Sequence, residues 1–241
     1  MSAMHPLPFP DVERLATLRA EAYALDRRLR AAEATAVTRT ALDAFAGRIA
    51  VVSSFGAESA VLLHLVATVG PTTPVLMVDT GKLFADTLGY RDWLVHELGL
   101  TDVRTLHPDA AELADQDPTG DLHKLNPDRC CALRKVRPLE RALAPFDAWI
   151  SGRKRFQTAS RAALPVTEID AERVKINPLA TWAKPDLDAY FAAHALPRHP
   201  LEAEGYLSIG CAPCTDRVRP GEDPRAGRWR GRAKEECGIH G

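Results

Sequence analysis

Between positions 11 and 46 the chain is rich in Ala, Leu, Arg and Glu, with no internal Pro or Gly. That pattern predicts one or two amphipathic helices. The character then changes. An apolar run at 48–53 (RIAVVS) ends in a polar, glycine-containing turn and passes into AVLLHLVATV, which reads as strand, loop and helix. A second unit follows, with PVLMVD (74–79) as strand, a turn at Thr80–Gly81 and a helix to about Leu98. DVRTL (102–106) predicts a third strand, and 108–128 is polar and turn-rich. A helix is predicted over 129–143, and DAWISG (147–152) predicts a fourth strand before the basic loop GRKRFQTASR. PVTEID and RVKINPL are short strand candidates, and Pro185 opens a helix through DLDAYFAAHAL. From Gly205 onward the chain reads as loop.

Strands alternating with helices of 10–15 residues predict an α/β fold with a doubly wound, mostly parallel sheet. No internal repeat or linker interrupts it. The expected organisation is one domain: N-terminal helices (1–46), a nucleotide-binding α/β body (47–215) and a flexible functional tail (216–241).

Composition narrows the class. Of 241 residues, 46% are hydrophobic and 26% charged, with a net charge of −1. That balance argues against nucleic acid or a membrane surface as partner. Positions 217–234 nevertheless carry seven basic and two acidic residues, for which the plain reading is a solvated face. No stretch approaches the roughly 20 apolar residues of a membrane span, and positions 1–10 do not read as a signal peptide. The expectation is a cytoplasmic protein, where cysteines bind metal or react rather than form disulfides.

Three features carry candidate chemistry. In SSFGAES (53–59) a glycine permits close backbone approach to a phosphate, hydroxyls can donate to it, and the next helix begins there. The same residues are also good capping chemistry. The loop resembles the SGGxDS loop of adenine nucleotide α hydrolases, with Phe55 and Glu58 at variant positions, and ATP-cleaving members need the Asp that Glu58 replaces. Second, Cys130-Cys131 and Cys211-Ala-Pro-Cys214 supply four of the five cysteines. Adjacent thiolates crowd one zinc ion but can each take a separate corner of a four-iron cluster. Two buried small residues, a zinc site and a thioredoxin-like dithiol are the other readings. Third, Cys237 stands beside Glu235 and Glu236 near a histidine, after the basic run. Such a cysteine is either incidental or a nucleophile that swings over a site.

Together, SSFGAES, MVDTGKLF, RCCALRKVRPL, WISGRKRFQTASR, KINPLATW, GYLSIGCAPCTDRV and KEECGIH resemble the assimilatory adenylyl-sulfate (APS) and phosphoadenylyl-sulfate (PAPS) reductases, from about Ile49 onward. The resemblance implies an adenine nucleotide α hydrolase-like fold and thioredoxin-dependent reduction of APS to sulfite and AMP, in sulfate assimilation and cysteine biosynthesis. It implies Cys237 as nucleophile and Cys130, Cys131, Cys211 and Cys214 as ligands of a [4Fe-4S] cluster, the mark of the APS-using branch. It places Lys135 between cluster and phosphosulfate, and Arg225 and Arg228 on the phosphosulfate. Ser53, Ser54, Phe55, Gly56, Ser59, Thr80 and Gly81 fall near the adenosine half, and Gly152, Arg161 and His240 on the substrate side. Partners implied are reduced thioredoxin or glutaredoxin, with a homo-oligomer left open. Two departures stand out: no aromatic triplet follows Gly-Arg-Trp in RAGRWRGRAKEEC, and GRKRFQT lacks an Asp before Gln, which leaves Lys154 and Arg155 without a firm role. The alternatives are a PAPS or dual-substrate reductase, a tRNA sulfur-transferase, and a zinc-stabilised nucleotide-binding module. Near-neutral charge and Glu58 weigh against the tRNA enzyme.

Overall fold

The computed structural model describes residues 12–239. The N-terminal segment forms two helices, α1 (Val12–Leu29) and α2 (Ala34–Ala44). Six strands follow: β1 (Ile49–Val52), β2 (Val75–Val78), β3 (Val103–Leu106), β4 (Ala148–Ile150), β5 (Thr167–Asp170) and β6 (Arg173–Ile176). They lie side by side in the order β3-β2-β1-β4-β6-β5. All neighbouring pairs are parallel except β5 and β6, an antiparallel hairpin at one edge. The doubly wound reading of the alternation therefore holds.

Burial explains the strand composition. In β1, β2 and β4, Ala50, Val51, Val75, Leu76, Met77 and Ile150 are fully buried, as expected for strands covered on both faces. Between β1 and β2 lies α3 (Ser59–Val69), nearly all apolar and with six residues buried. Each fully buried Leu or Val there contributes roughly 1.5–3 kcal/mol. The first helix covers the hairpin edge through Leu18, Ala22 and Leu29, and Asp26 accepts a hydrogen bond from the Thr167 amide at 3.3 Å.

Two expectations need correction. The stretch 108–128 is not merely turns: it holds α5 (Ala110–Gln116) and α6 (Leu122–Leu125) beyond α4 (Ala85–Glu97). Asp109 caps α5 by accepting from the Glu112 amide at 2.9 Å, a capping signal that a count of polar residues hides. The helix predicted over 129–143 is three pieces: α7 (Pro127–Cys131), a π-helical turn (Ala132–Val136) and α8 (Arg137–Leu143). The wide turn carries Arg134 and Lys135, and such turns cluster at functional sites. The last helix, α9 (Lys184–Ala193), carries Pro185 in its first turn.

The site follows from the topology. From β1 the chain moves outward to β2 and β3 on one side, and from β4 it crosses to the edge strand β5 and returns through β6 on the other. The order reverses between β1 and β4, and the crevice beyond the carboxyl ends of such strands is where open α/β sheets bind ligands.

Candidate active site

A cleft of about 260 Å³ opens at this reversal, lined by the loops after β1 and β4 and by the tail. Ser53, Ser54, Gly56 and Ser59 form its floor. The helix α3 starts there without a side-chain cap, its Ser59 amide donating to the Gly56 carbonyl at 3.0 Å, and its N-terminus faces the loop with partial positive charge. Phe55 does not line the cleft. Its ring is fully buried in the core and its φ is +49°, while Ser53 Oγ accepts from its amide at 3.2 Å. The buried ring anchors the loop from beneath.

Opposite the floor, the tail folds back over the cleft. Cys237, half-buried, lines it together with Lys135, Gly152, Arg161, Arg225 and Arg228. Each cation has its own support. The backbone of 225–229 is stitched to the segment after the CAPC loop, by Asp216 N to Gly227 O at 2.8 Å and Trp229 N to Cys214 O at 3.1 Å. The approach is so close that a side chain on Gly227 would lie 2.1 Å from the Asp216 carbonyl. Arg228 stacks on Trp229 at 4.4 Å and passes over Gly210, where a Cβ would meet its Nη2 at 2.3 Å. Its buried Nε has no hydrogen-bond partner. Of the other basic residues in the run, Arg217 and Arg230 pair with acids at the surface, the mostly buried Lys234 pairs with Asp128 and lies over Trp229, and Arg232 donates to the His123 carbonyl at 3.0 Å. Most of the basic run is thus surface chemistry, and Arg225 and Arg228 face the cleft.

The four remaining cysteines line a second, smaller cavity behind the first. Cys130, Cys131 and Cys211 are buried and Cys214 is half-buried. Burial pushes the Cys131 thiol up to about 11, opposed by Lys135. Lys135 lines both cavities. Burial pulls its ammonium down, but the sulfurs of Cys211, Cys237 and Cys131 outweigh that and raise its pKa. Thr80 lines this second cavity. Its hydroxyl is 3.2 Å from Cys211 Sγ, and its carbonyl accepts from Arg134 Nη1 at 2.9 Å. The buried ion pair of Arg134 with Asp117, 2.6 Å, holds that arrangement and keeps Gly81 on the same side. Among the described residues no group of three His, Cys, Asp or Glu is placed to hold one metal ion. The thiols ring a cavity instead. His240 lies outside the described residues.

Residues 48–217 match the phosphoadenosine phosphosulfate reductase domain. The chain belongs to that family. It is 58% identical over 204 residues to an adenosine 5'-phosphosulfate reductase of Mesorhizobium japonicum, covering 85% of this chain and 80% of that one. A second, from a Chelativorans species, is 52% identical and covers 91% of both. Among solved structures it resembles a phosphoadenylyl-sulfate (PAPS) reductase from Candida auris in a phosphate complex. That likeness has a TM-score of 0.70 and 26% identity, and spans 83% of this chain and 97% of the other.

Within this reductase fold, one network escaped the sequence reading. Glu58 accepts from Lys154 Nζ at 2.7 Å and from Gln157 Nε2 at 3.0 Å. Gln157 Oε1 in turn accepts from Arg161 Nη1 at 2.5 Å. Lys154 is buried, and its pKa is lowered by burial against the pull of Glu58. The basic loop after β4 is therefore tied to the loop after β1, and Lys154 is a structural tie. The substitution of Glu58 for the Asp of the SGGxDS pattern was the available signal. No helix among the described residues is long and apolar enough to cross a membrane.

Proposed function

We propose that the chain reduces adenylyl sulfate to sulfite and AMP with reduced thioredoxin, in the cytoplasm, with Cys237 as nucleophile. What carries the reading is that Cys237 shares one cleft with Lys135, Arg225 and Arg228, above the SSFGAES loop. The Cys237 thiolate attacks the sulfur of the phosphate–sulfate anhydride. The S–O bond breaks, the bridging oxygen leaves with AMP, and an S–S bond forms to give S-sulfocysteine. The fixed cations stabilise negative charge as it builds on the leaving phosphate. A thioredoxin thiolate then attacks Cys237 Sγ and expels sulfite with the electron pair of that S–S bond. The second thioredoxin thiol resolves the mixed disulfide and returns Cys237 to the thiol. Both electrons come from thioredoxin. Residues 216–241 act as the catalytic tail.

Cys130, Cys131, Cys211 and Cys214 have the donor chemistry for a [4Fe-4S] cluster, and all four line one cavity. When bound, that group supplies fixed charge and rigidity beside Lys135. Protein purified anaerobically should carry about four irons per chain. Colourless protein with one zinc would overturn the assignment.

The reaction is tested by sulfite release measured side by side with APS and PAPS, thioredoxin as reductant. APS should be the better substrate. Turnover of PAPS alone would show that the enzyme belongs with the phosphorylated nucleotide.

A further inference from the structure

Arg161 and Arg225 reach the cleft from opposite sides, one from the loop after β4 and one from the 225–229 loop, and a single carboxylate already joins them. Glu236, the neighbour of Cys237, places its two oxygens 2.6 and 2.8 Å from Arg161 Nη2. It also stands 3.7 Å from Arg225 Nη2, which donates to the Glu235 carbonyl at 2.7 Å. These are not solvent-screened surface contacts: the Arg161 side chain is 9% exposed and that of Arg225 18%. Arg161 is further held by Gln157, itself fixed by Glu58, so its guanidinium is aimed before any ligand arrives. The tail is thus pinned at the residue before the nucleophile, on two guanidinium groups of the substrate cleft.

We propose that Glu236 is an internal anion that occupies the Arg161–Arg225 pair in the substrate-free enzyme and gives it up to the phosphosulfate of the incoming substrate. The proposal rests on the reading of the cleft as an APS site. A carboxylate and a phosphosulfate ask for the same planar, charged donors, so the two compete. Part of the substrate's binding energy is then used to displace the carboxylate. The tail is released only when an anion of sufficient charge takes its place, as for any ligand that favours one of two states. Glu236 is a positioning residue in this scheme: it acts on Cys237 through the arginines and does not touch the reacting atoms. The arrangement also shields the thiol while no substrate is present.

The test compares wild type with Glu236→Gln, and with Glu235→Gln as a control that removes the same charge from an exposed neighbour. Without substrate, iodoacetamide should alkylate Cys237 of Glu236→Gln several-fold faster than wild type, the modified residue being located by mass spectrometry of the C-terminal peptide. With APS and thioredoxin, Glu236→Gln should lower KM on the order of tenfold, the effect of losing one charge-assisted competitor, with kcat little changed. Glu235→Gln should match wild type in both. An unchanged alkylation rate, or a raised KM or lowered kcat in Glu236→Gln, would overturn the proposal in favour of a residue that serves the closed complex. If wild type itself makes no sulfite from APS, the function fails, while the alkylation arm still decides whether Glu236 latches the tail.

Discussion

A Cys237→Ser enzyme should release no sulfite from APS in the presence of thioredoxin, yet should keep its iron and its affinity for the nucleotide. Loss of turnover should be complete within detection, because a serine hydroxyl is a far weaker nucleophile than a thiolate and cannot form the S–S bond that thioredoxin reduces. The other four cysteines do not offer a substitute. Cys130, Cys131 and Cys214 have thiols raised by burial, and all four line the cavity behind the cleft. Cys237 lines the cleft itself. Retained iron separates a chemical defect from a folding defect, since metal binding and folding are coupled at such sites.

The second large effect is expected at Arg228. Its replacement by alanine should slow APS reduction roughly 30- to 1,000-fold, the on the order of 2–4 kcal/mol expected for removing one charge-assisted contact to the transition state. Three observations support a ligand-facing role. The guanidinium lines the cleft with Cys237, is stacked on Trp229 and is packed against Gly210. Arg228→Lys should recover little, because an ammonium neither stacks on the indole in the same way nor presents a planar fork. Steady-state kinetics with APS would check both variants, and unchanged kcat/KM in Arg228→Ala would remove the residue from the site.

Much of this was legible in the sequence because the signals were local. Apolar runs such as IAVV and VLMV mark buried parallel strands, and their alternation with helices predicts the sheet whose reversal creates the cleft. The paired cysteines and CAPC announce themselves by spacing, although nothing in the spacing says that they line one cavity. What stayed hidden depends on partners distant in the chain. Lys154 reads as one more base in a basic loop until Glu58 is found 96 positions away, and Glu236 reads as a neighbour of Cys237 until Arg161 is found 75 positions away. A polar loop likewise gives no sign that the one ring of Phe55 turns inward at positive φ. Thr80 accepts through its carbonyl from Arg134, which sits 54 positions away on a π-helical turn that periodicity does not reveal.

The central claim is that the chemistry passes through a covalent adduct on the tail cysteine, and intact-mass spectrometry tests it most directly. Wild-type protein mixed with APS and no thioredoxin should gain one SO₃ group, about 80 Da, the mark of nucleophilic catalysis with its second half withheld. Digestion should place the added mass on the peptide that contains Cys237, and thioredoxin should remove it with release of sulfite. An adduct on any other residue, or no adduct in protein that turns over APS once thioredoxin is added, would contradict the account.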